Sequence, residues 1–495
     1  MTIAFAQLCR QLGAVAHAGD AEITCVTHDS RQCARGTLFV ACRGAGRNSA
    51  DGHRFVDAAI TQGASAIIGE AFDHALAVPH ATVSDSRLAL AQAAEWVAGN
   101  PSSQLQLVGV TGTNGKTTVV YLTAAALEAC AMPCGRLGTL GVHTPKRDYH
   151  WSHTTPEAPQ LSQALAGMLD DGARAVALEV SSHALALRRV DGLRFAIAAF
   201  TNLSQDHLDF HTDMDEYFAA KRRLFVELLP PAARAVVFVG GVSGRRLADE
   251  LGHRAIRVGV GAAPDLDVAA RAVEYRADGT TAQVEVAGQQ LDLRLRHVGA
   301  FNLENALVAL GIAHGLDLPL APAVQGIGAC PPVRGRLEQI AVPGAPATFV
   351  DFGHTPDGLA RALDTIREFA RGRVLVVFGC GGDRDPFKRG PMGAIAAERA
   401  DLVFVTDDNP RSEPGQQIVD AIVAGARGVA RPRASRIVVE RDRRRAIEAA
   451  VAEASSGDVV LIAGKGHEEY QIVGTSTVPF SDQRVAHDAL MARSR

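Results

Sequence analysis

The stretch Leu105-Gln-Leu-Val-Gly-Val-Thr-Gly-Thr-Asn-Gly-Lys-Thr-Thr118 decides how the rest of the chain is read. Its first six residues form a short apolar run, the mark of a buried strand. A glycine-rich turn follows, then a helical stretch from about Lys116 to Ala131. Strand, glycine loop and helix together make an anion site. Backbone N–H groups converge there, and the helix N-terminus adds partial positive charge. Lys116 stands where an ammonium would neutralise β- and γ-phosphate oxygens, and Thr117 where a hydroxyl would ligate Mg²⁺. The strict spacing G-x-x-x-x-G-K-[ST] is not met, because position 110 is Val and the glycine falls at 109.

Upstream, residues 1–103 read as a small α/β unit, with strands near 36–41 and 64–69 and a helix from Arg87 to Gly99. Gly99-Asn-Pro-Ser-Ser103 stops that helix, so the first boundary is placed there. Downstream, strands are expected at Ala173–Val180 and Phe195–Phe200. Residues 265–298 differ: Thr281–Val286 and Leu291–His297 alternate as a hairpin does. Near residue 333 the pattern restarts, with strands expected at 347–351, 373–378, 402–406 and 458–463. Three of these end in Gly or Asp clusters, which suits a second doubly wound sheet with ligands at its strand ends. The expectation is an α/β chain of three domains. Residues 1–103 form the small N-terminal unit, 104–333 a P-loop-type parallel-sheet domain and 334–495 a Rossmann-like domain.

Composition narrows the function. With 495 residues, 47% hydrophobic and 21% charged, the chain has ordinary globular composition. Its net charge of −4 gives no global pull toward nucleic acid or anionic membrane. Aromatics at 5% leave few platforms for stacking bases. Eight cysteines form no C-x-x-C pair, so reduced, scattered thiols are expected rather than a thiolate zinc site. The N-terminus reads as an amphipathic helix, not a signal peptide, and no stretch of about 18 apolar residues exists. A cytosolic protein, without membrane insertion, is expected.

The segment Thr111-Gly-Thr-Asn-Gly-Lys-Thr-Thr118 resembles the ATP loop of the Mur ligase family, enzymes that add amino acids to UDP-N-acetylmuramic acid. The resemblance extends through most of the chain. Glu179-Val-Ser-Ser-His183 looks like the family's E-V-S-S-H, and Thr201-Asn-Leu-Ser-Gln-Asp-His-Leu-Asp209 like its T-N-[IL]-x-x-D-H-L-D. By resemblance Thr117, Glu179 and His207 help hold magnesium, and Lys221 is carbamylated by CO₂ into a further ligand. Lys116, Glu179, His207 and Lys221 are then the catalytic group. Gly112 through Thr118 hold the triphosphate, Asn302 meets the adenine edge, Arg336 a phosphate and Asp351 the ribose. Two departures stand in this region: Arg334 where proline is usual, and Phe352-Gly353 within Asp351-Phe-Gly-His-Thr-Pro-Asp357.

The resemblance also implies both organic substrates. For UDP-N-acetylmuramoyl-L-Ala-D-Glu it assigns Ser30, Asn48, Ser49, Ala50, His153, Thr154, Thr155, Ser181, Leu187 and Arg189. His153 stands where Asn is usual, Leu187 where Gln is, and 44–52 is longer than usual. Asp408-Asn-Pro-Arg411 matches the motif that separates members adding meso-diaminopimelate from those adding lysine. An arginine fork grips a carboxylate through two parallel hydrogen bonds, and lysine lacks that second carboxylate. Asp408, Asn409, Pro410 and Arg411, with Arg384, Gly464 and Glu468, form the implied amino-acid site. An ATP-dependent amide ligase of peptidoglycan synthesis, working as a monomer, is therefore expected. A folate polyglutamylating ligase would share the ATP loop without needing Arg411, and a nucleotide-driven switch would need no amino-acid site.

Overall fold

The computed structural model describes residues 2–44, 50–151, 153–207 and 210–493. Among the described residues three large sheets, of five, eleven and six strands, follow one another along the chain, with two two-stranded ribbons beside them. The central sheet is built around strand Gln106–Thr111, flanked in parallel by Ala175–Glu179 on one side and Ile197–Phe200 on the other. Apart from Gln106, Thr111 and Glu179 at their ends, these runs are apolar because helices cover both faces. Lys116–Ala129 and Ala300–Gly315 pack on one face; Ala158–Asp170, Met214–Arg223 and Val242–Leu251 pack on the other.

Parallel pairing extends from Cys134–Gly138 at one side to Val268–Arg276 at the other. The alternating segment after 265 is not a separate unit. Gly279–Val286 and Gln289–Leu295 continue the same sheet antiparallel, with Val284 opposite Leu291. Its alternation has a physical cause: Ala282, Val284, Leu293 and Leu295 enter the core, while Gln283, Asp292 and Arg294 face water.

The direction of winding reverses beside Gln106–Thr111. The chain goes first to Cys134–Gly138, then to the intervening Ala175–Glu179, then across to Ile197–Phe200. Ligands of doubly wound sheets bind at such a switch, beyond the C-terminal strand ends. The glycine loop lies there.

The N-terminal sheet has the order Val15–Ala18, His80–Thr82, Ala66–Gly69, Thr37–Val40, Cys25–Thr27, with only the first pair antiparallel. Its helix Ser86–Val97 is capped by Asp85, whose carboxylate accepts from Leu88 N at 2.9 Å. The buried Glu95 of that helix reaches into the central layer and accepts from Ser162 Oγ at 2.8 Å.

The C-terminal sheet runs Glu338–Ile340, Ala347–Asp351, Val459–Ala463, Val374–Phe378, Leu402–Val405, Arg436–Val439, antiparallel only at the first pair. Its last helix, Asp482–Arg493, is pinned by a fully buried pair. Arg443 Nε and Nη2 donate to Asp482 at 2.8 and 2.7 Å, and Nη2 also reaches Ala463 O at 3.0 Å.

All eight cysteines are free thiols, six of them buried; burial pushes the Cys134 thiol up to about 12. Among the described residues no helix is long and apolar enough to cross a membrane.

Candidate active site

The glycine loop is shaped from behind. Thr113 N donates to Asn202 O at 2.9 Å, Asn114 N to Asn202 Oδ1 at 3.0 Å, and Thr201 Oγ1 to Asn114 O at 2.6 Å. The Tyr217 hydroxyl lies 3.1 Å from Thr113 Oγ1. Gly115 begins the helix at φ 87°, and a Cβ there would come 2.2 Å from Asn305 Oδ1. Only glycine fits this turn; the N–H groups of Thr113 and Asn114 are spent on Asn202 behind the loop, and the anion site is left to the N-terminus of the helix that starts at Lys116.

In front lies a cavity of about 350 Å³. Thr113 through Thr118 form its floor, Thr139, Thr154 and Glu179 one wall, and Arg336, Asp351–Thr355 and Arg361 of the C-terminal unit the other. Lys116 Nζ is folded onto its own loop, donating to Gly112 O and Thr113 O at 2.9 Å each. Burial pushes this ammonium below its usual range and Arg336 adds to the effect, while Glu179 and Asp206 oppose it. An incoming polyanion therefore gains more from Lys116 than it would from a solvated lysine. Arg336 stacks 4.6 Å over the Phe352 ring and donates to Thr117 Oγ1 at 3.2 Å. Asp351 accepts from Leu337 N at 2.8 Å and Gly353 N at 2.7 Å. Burial raises its carboxyl pKa against the pull of Arg336.

Of the expected metal ligands, Thr117, Glu179 and His207 line this cavity. Glu179 is buried, and both donors to its carboxylate come from Thr139: N at 2.9 Å and Oγ1 at 3.1 Å. Neither is a cation, so the buried charge faces the cavity ready for one. The residues fit Mg²⁺, which takes few protein ligands and relies on water and substrate phosphates. Among the described residues no group of three or more His, Cys, Asp or Glu is placed to hold a metal ion. Lys221 is placed differently from the expectation: it does not line the cavity. It sits behind the loop, buried, with Nζ donating to Gly112 O at 2.8 Å and lying 4.4 Å over the Tyr217 ring. Burial, and then Lys116, hold its pKa well below the usual lysine range. Asn302 is also off the wall: its Nδ2 donates to Val298 O at 2.9 Å, and Asn305, one turn on, lines the cavity.

Next to Glu179 lies a second group. Thr155 Oγ1 donates to Glu179 O at 2.7 Å and accepts from Ser181 N at 3.1 Å. Ser181 caps the short helix Ser182–Ala186, which Leu187 ends. Arg189 donates to Thr155 O at 2.9 Å and pairs with Glu157 at 2.8 Å. Arg87 of the N-terminal unit pairs with Glu157 at 4.0 Å, so that unit meets this group. Thr154 Oγ1 is 3.1 Å from Thr139 Oγ1; His153 and Ala50 are exposed. Asn48 and Ser49 lie outside the described residues.

The third group sits at the C-terminal strand ends. Asp408, Asn409 and Pro410 are buried, and Gly464 follows strand Val459–Ala463. Asn409 Nδ2 donates to Glu468 Oε2 at 3.0 Å. Arg411 uses Nη1 on Gly382 O at 2.8 Å, and its Nε and Nη2 make no hydrogen bond among the described residues. That edge is the one a carboxylate accepts from in a fork. Arg384 is exposed on the adjacent loop. This group abuts the cavity wall: Gly464 N donates to the O atom of the wall residue Asp351 at 3.1 Å, and the nearby Lys388 Nζ donates to the O atom of His354 at 2.9 Å.

Sequence reading missed Asn305, Asp357, Glu157 and Lys465. Asn305, Asp357 and Lys465 lie inside the segments Gly299–Ala306, Asp351–Asp357 and Gly464–Glu468, but residue type alone does not name their partners.

Comparison with known proteins agrees with this geometry. The Mur ligase middle domain matches residues 110–313, the Mur ligase glutamate ligase domain 335–466, and the Mur ligase family catalytic domain 22–101. The UDP-N-acetylmuramoyl-L-alanyl-D-glutamate–2,6-diaminopimelate ligase of Synechococcus sp. (strain WH7803) is 42% identical over 99% of each chain. The like-named protein of Brucella melitensis biotype 1 is 42% identical over 96% of each. A solved structure of a ligase of that name superposes with a TM-score of 0.71 over 100% of both chains at 29% identity. The chain belongs to the Mur ligase family.

Proposed function

We propose that this chain is an ATP-dependent ligase that joins meso-2,6-diaminopimelate to the D-Glu of UDP-N-acetylmuramoyl-L-Ala-D-Glu, a step of peptidoglycan precursor synthesis. The observation that carries this reading is the adjacency of the amino-acid group to the phosphate-loop cavity, whose wall residue Asp351 accepts from Gly464 N. We assign acceptor binding to residues 1–103, ATP binding to 104–333 and amino-acid binding to 334–495. Free thiols and ATP use fit a cytosolic enzyme, and we take it to act as a monomer.

The chemistry follows from charge. The D-Glu γ-carboxylate attacks the γ-phosphorus of ATP, the bond to ADP breaks, and an acyl phosphate forms. The diaminopimelate amine attacks the acyl carbon; phosphate leaves, the amine loses its proton, and an amide remains. Lys116 leaves its loop carbonyls for phosphate oxygens, and Arg336 reaches over from the C-terminal unit as the cavity closes. Thr117, Glu179 and His207 would hold Mg²⁺, whose charge would lower the repulsion between carboxylate and triphosphate. Thr155, Ser181 and Arg189 orient the acceptor. Arg411 and Arg384 take the amino acid's carboxylates, and Glu468 an ammonium.

Lys221 is read as a carbamate site. Two lysines, 116 and 221, donate to the one Gly112 carbonyl oxygen. A neutral Lys221 amine adds CO₂ and releases a proton, and the resulting carbamate anion attracts the neighbouring Lys116 ammonium.

Mass spectrometry of products from ATP, the muramyl dipeptide and diaminopimelate tests the assignment. A new tripeptide mass supports it. Product formed only from tetrahydrofolate and glutamate would transfer the chain to the folate branch.

A further inference from the structure

Beneath the Asp408–Arg411 group lies a charge that the reaction above does not use. Lys465 is fully buried, with a side-chain exposure of 0%. Its Nζ donates to Asp408 Oδ1 at 3.3 Å, Asn409 Oδ1 at 3.0 Å and Glu468 Oε2 at 3.0 Å. Three donors meet three acceptors, so the ammonium is fully satisfied. Its acceptors all belong to the group assigned to the amino acid.

The remaining oxygens show what this arrangement does. One oxygen each of Asp408 and Glu468 is tied to Lys465. The others, Asp408 Oδ2 and Glu468 Oε1, make no hydrogen bond among the described residues. Asn409 completes the clamp: its Nδ2 holds Glu468 Oε2, and its Oδ1 accepts from both Lys465 and Ile472 N, the latter at 2.9 Å. Two carboxylates gathered on one spot repel each other, and the Lys465 ammonium that both accept from offsets that repulsion. With Lys465 between them the trio keeps a single net negative charge, which matches one substrate ammonium.

We propose that Lys465 is a positioning residue of the amino-acid site: it holds the side chains of Asp408, Asn409 and Glu468 aimed so that one oxygen of each carboxylate receives an ammonium of the diamine. The inference rests on the functional reading above. Lys465 touches no substrate itself, and it sets affinity for the amino acid rather than for nucleotide.

Steady-state kinetics on the full-length enzyme with the single variants Lys465→Met and Glu468→Gln and the double variant test this. Diaminopimelate, ATP and acceptor are each varied in turn. Expected for Lys465→Met is a KM for diaminopimelate raised about 30-fold, with the KM for ATP and the saturated kcat within about threefold of wild type. In the double variant one carboxylate is already neutral. Its KM should then be no worse than that of the poorer single variant, a strongly non-additive cycle. Should Lys465→Met not fold, Lys465→Arg, which keeps the charge but changes its reach, should still raise the diaminopimelate KM without raising that for ATP. An unchanged diaminopimelate KM, or single effects that simply multiply, would overturn the inference while leaving the wild-type activity standing. A wild-type enzyme inert toward diaminopimelate would sink the functional reading and this inference with it.

Discussion

The Asp357 carboxylate, in the first turn of a C-terminal helix, accepts a hydrogen bond at 3.0 Å from Asn114 Nδ2 in the glycine loop, 243 residues away in sequence. The same oxygen accepts from Ser204 Oγ at 2.8 Å, and Arg361 pairs with it at 3.1 Å. One side chain thus joins the phosphate loop, the segment behind it and the C-terminal unit. It is a latch on the closed arrangement, in which Arg336 also reaches Thr117.

Asp357→Ala should therefore loosen closure without unfolding the protein. Hydrogen bonds to a charged group contribute about 1.5–3 kcal/mol each. The kcat/KM for ATP should fall about 10–100-fold while the melting temperature stays within a few degrees. Small-angle scattering should show a more extended chain; an unchanged kcat/KM would remove the latch from the account of closure.

Lys116→Ala removes the cation nearest the forming charge. Turnover should drop at least about 1,000-fold, as for other groups that stabilise phosphoryl transfer. Circular dichroism should match wild type. Turnover at the wild-type level would contradict the role given to the loop.

Much of this site was legible because its parts are local. Buried parallel strands are apolar runs, and 347–351, 402–405 and 459–463 fell where runs of Val, Ile, Leu and Phe end in Gly or Asp. The glycine loop is contiguous, and so is Asp408–Arg411. What stayed hidden is set by pairing across the fold. Asn305 replaces Asn302 on the cavity wall because helical phase, not residue type, decides which amide faces in. Lys221 turns to Gly112 O because that carbonyl is the acceptor within its reach. Asp357 reads as an ordinary first-turn acid until Asn114 and Ser204 are brought beside it. The segment 281–297 read correctly as a hairpin, but its membership of the central sheet depends on a strand partner that sequence alternation cannot name.

Lys221 yields a spectroscopic test. Protein equilibrated with ¹³C-bicarbonate should show a carbamate carbonyl ¹³C resonance that is missing from Lys221→Ala. If the two spectra agree, the carbamate is not on Lys221.

Acid should weaken the fold through His297. Burial, with some contribution from Arg296, lowers its pKa from 6.5 to about 4, and neither ring nitrogen has a hydrogen-bond partner among the described residues. The folded state therefore favours the neutral ring. This stability is fully present above 6.5 and is lost as pH falls toward 4, a change of about 3 kcal/mol. Urea unfolding at pH 7.5 and 4.5 should show a smaller difference for His297→Leu than for wild type. Equal differences would place the acid sensitivity elsewhere.

The Arg443–Asp482 pair offers a second stability test. Arg443→Met strands a buried carboxylate and should cost about 3–5 kcal/mol. Adding Asp482→Leu should recover most of it; a single variant as stable as wild type would mean that the last helix is held by packing alone.

The most direct measurement is phosphate release by the wild-type enzyme with ATP and the muramyl dipeptide, with meso-diaminopimelate and lysine run side by side and Arg411→Ala as a third arm. With diaminopimelate, kcat/KM should exceed that with lysine by at least about 100-fold, because lysine leaves the free Arg411 edge unpaired. Arg411→Ala should lose most of that ratio by using diaminopimelate poorly. Equal use of the two amino acids by the wild-type enzyme would contradict the assignment.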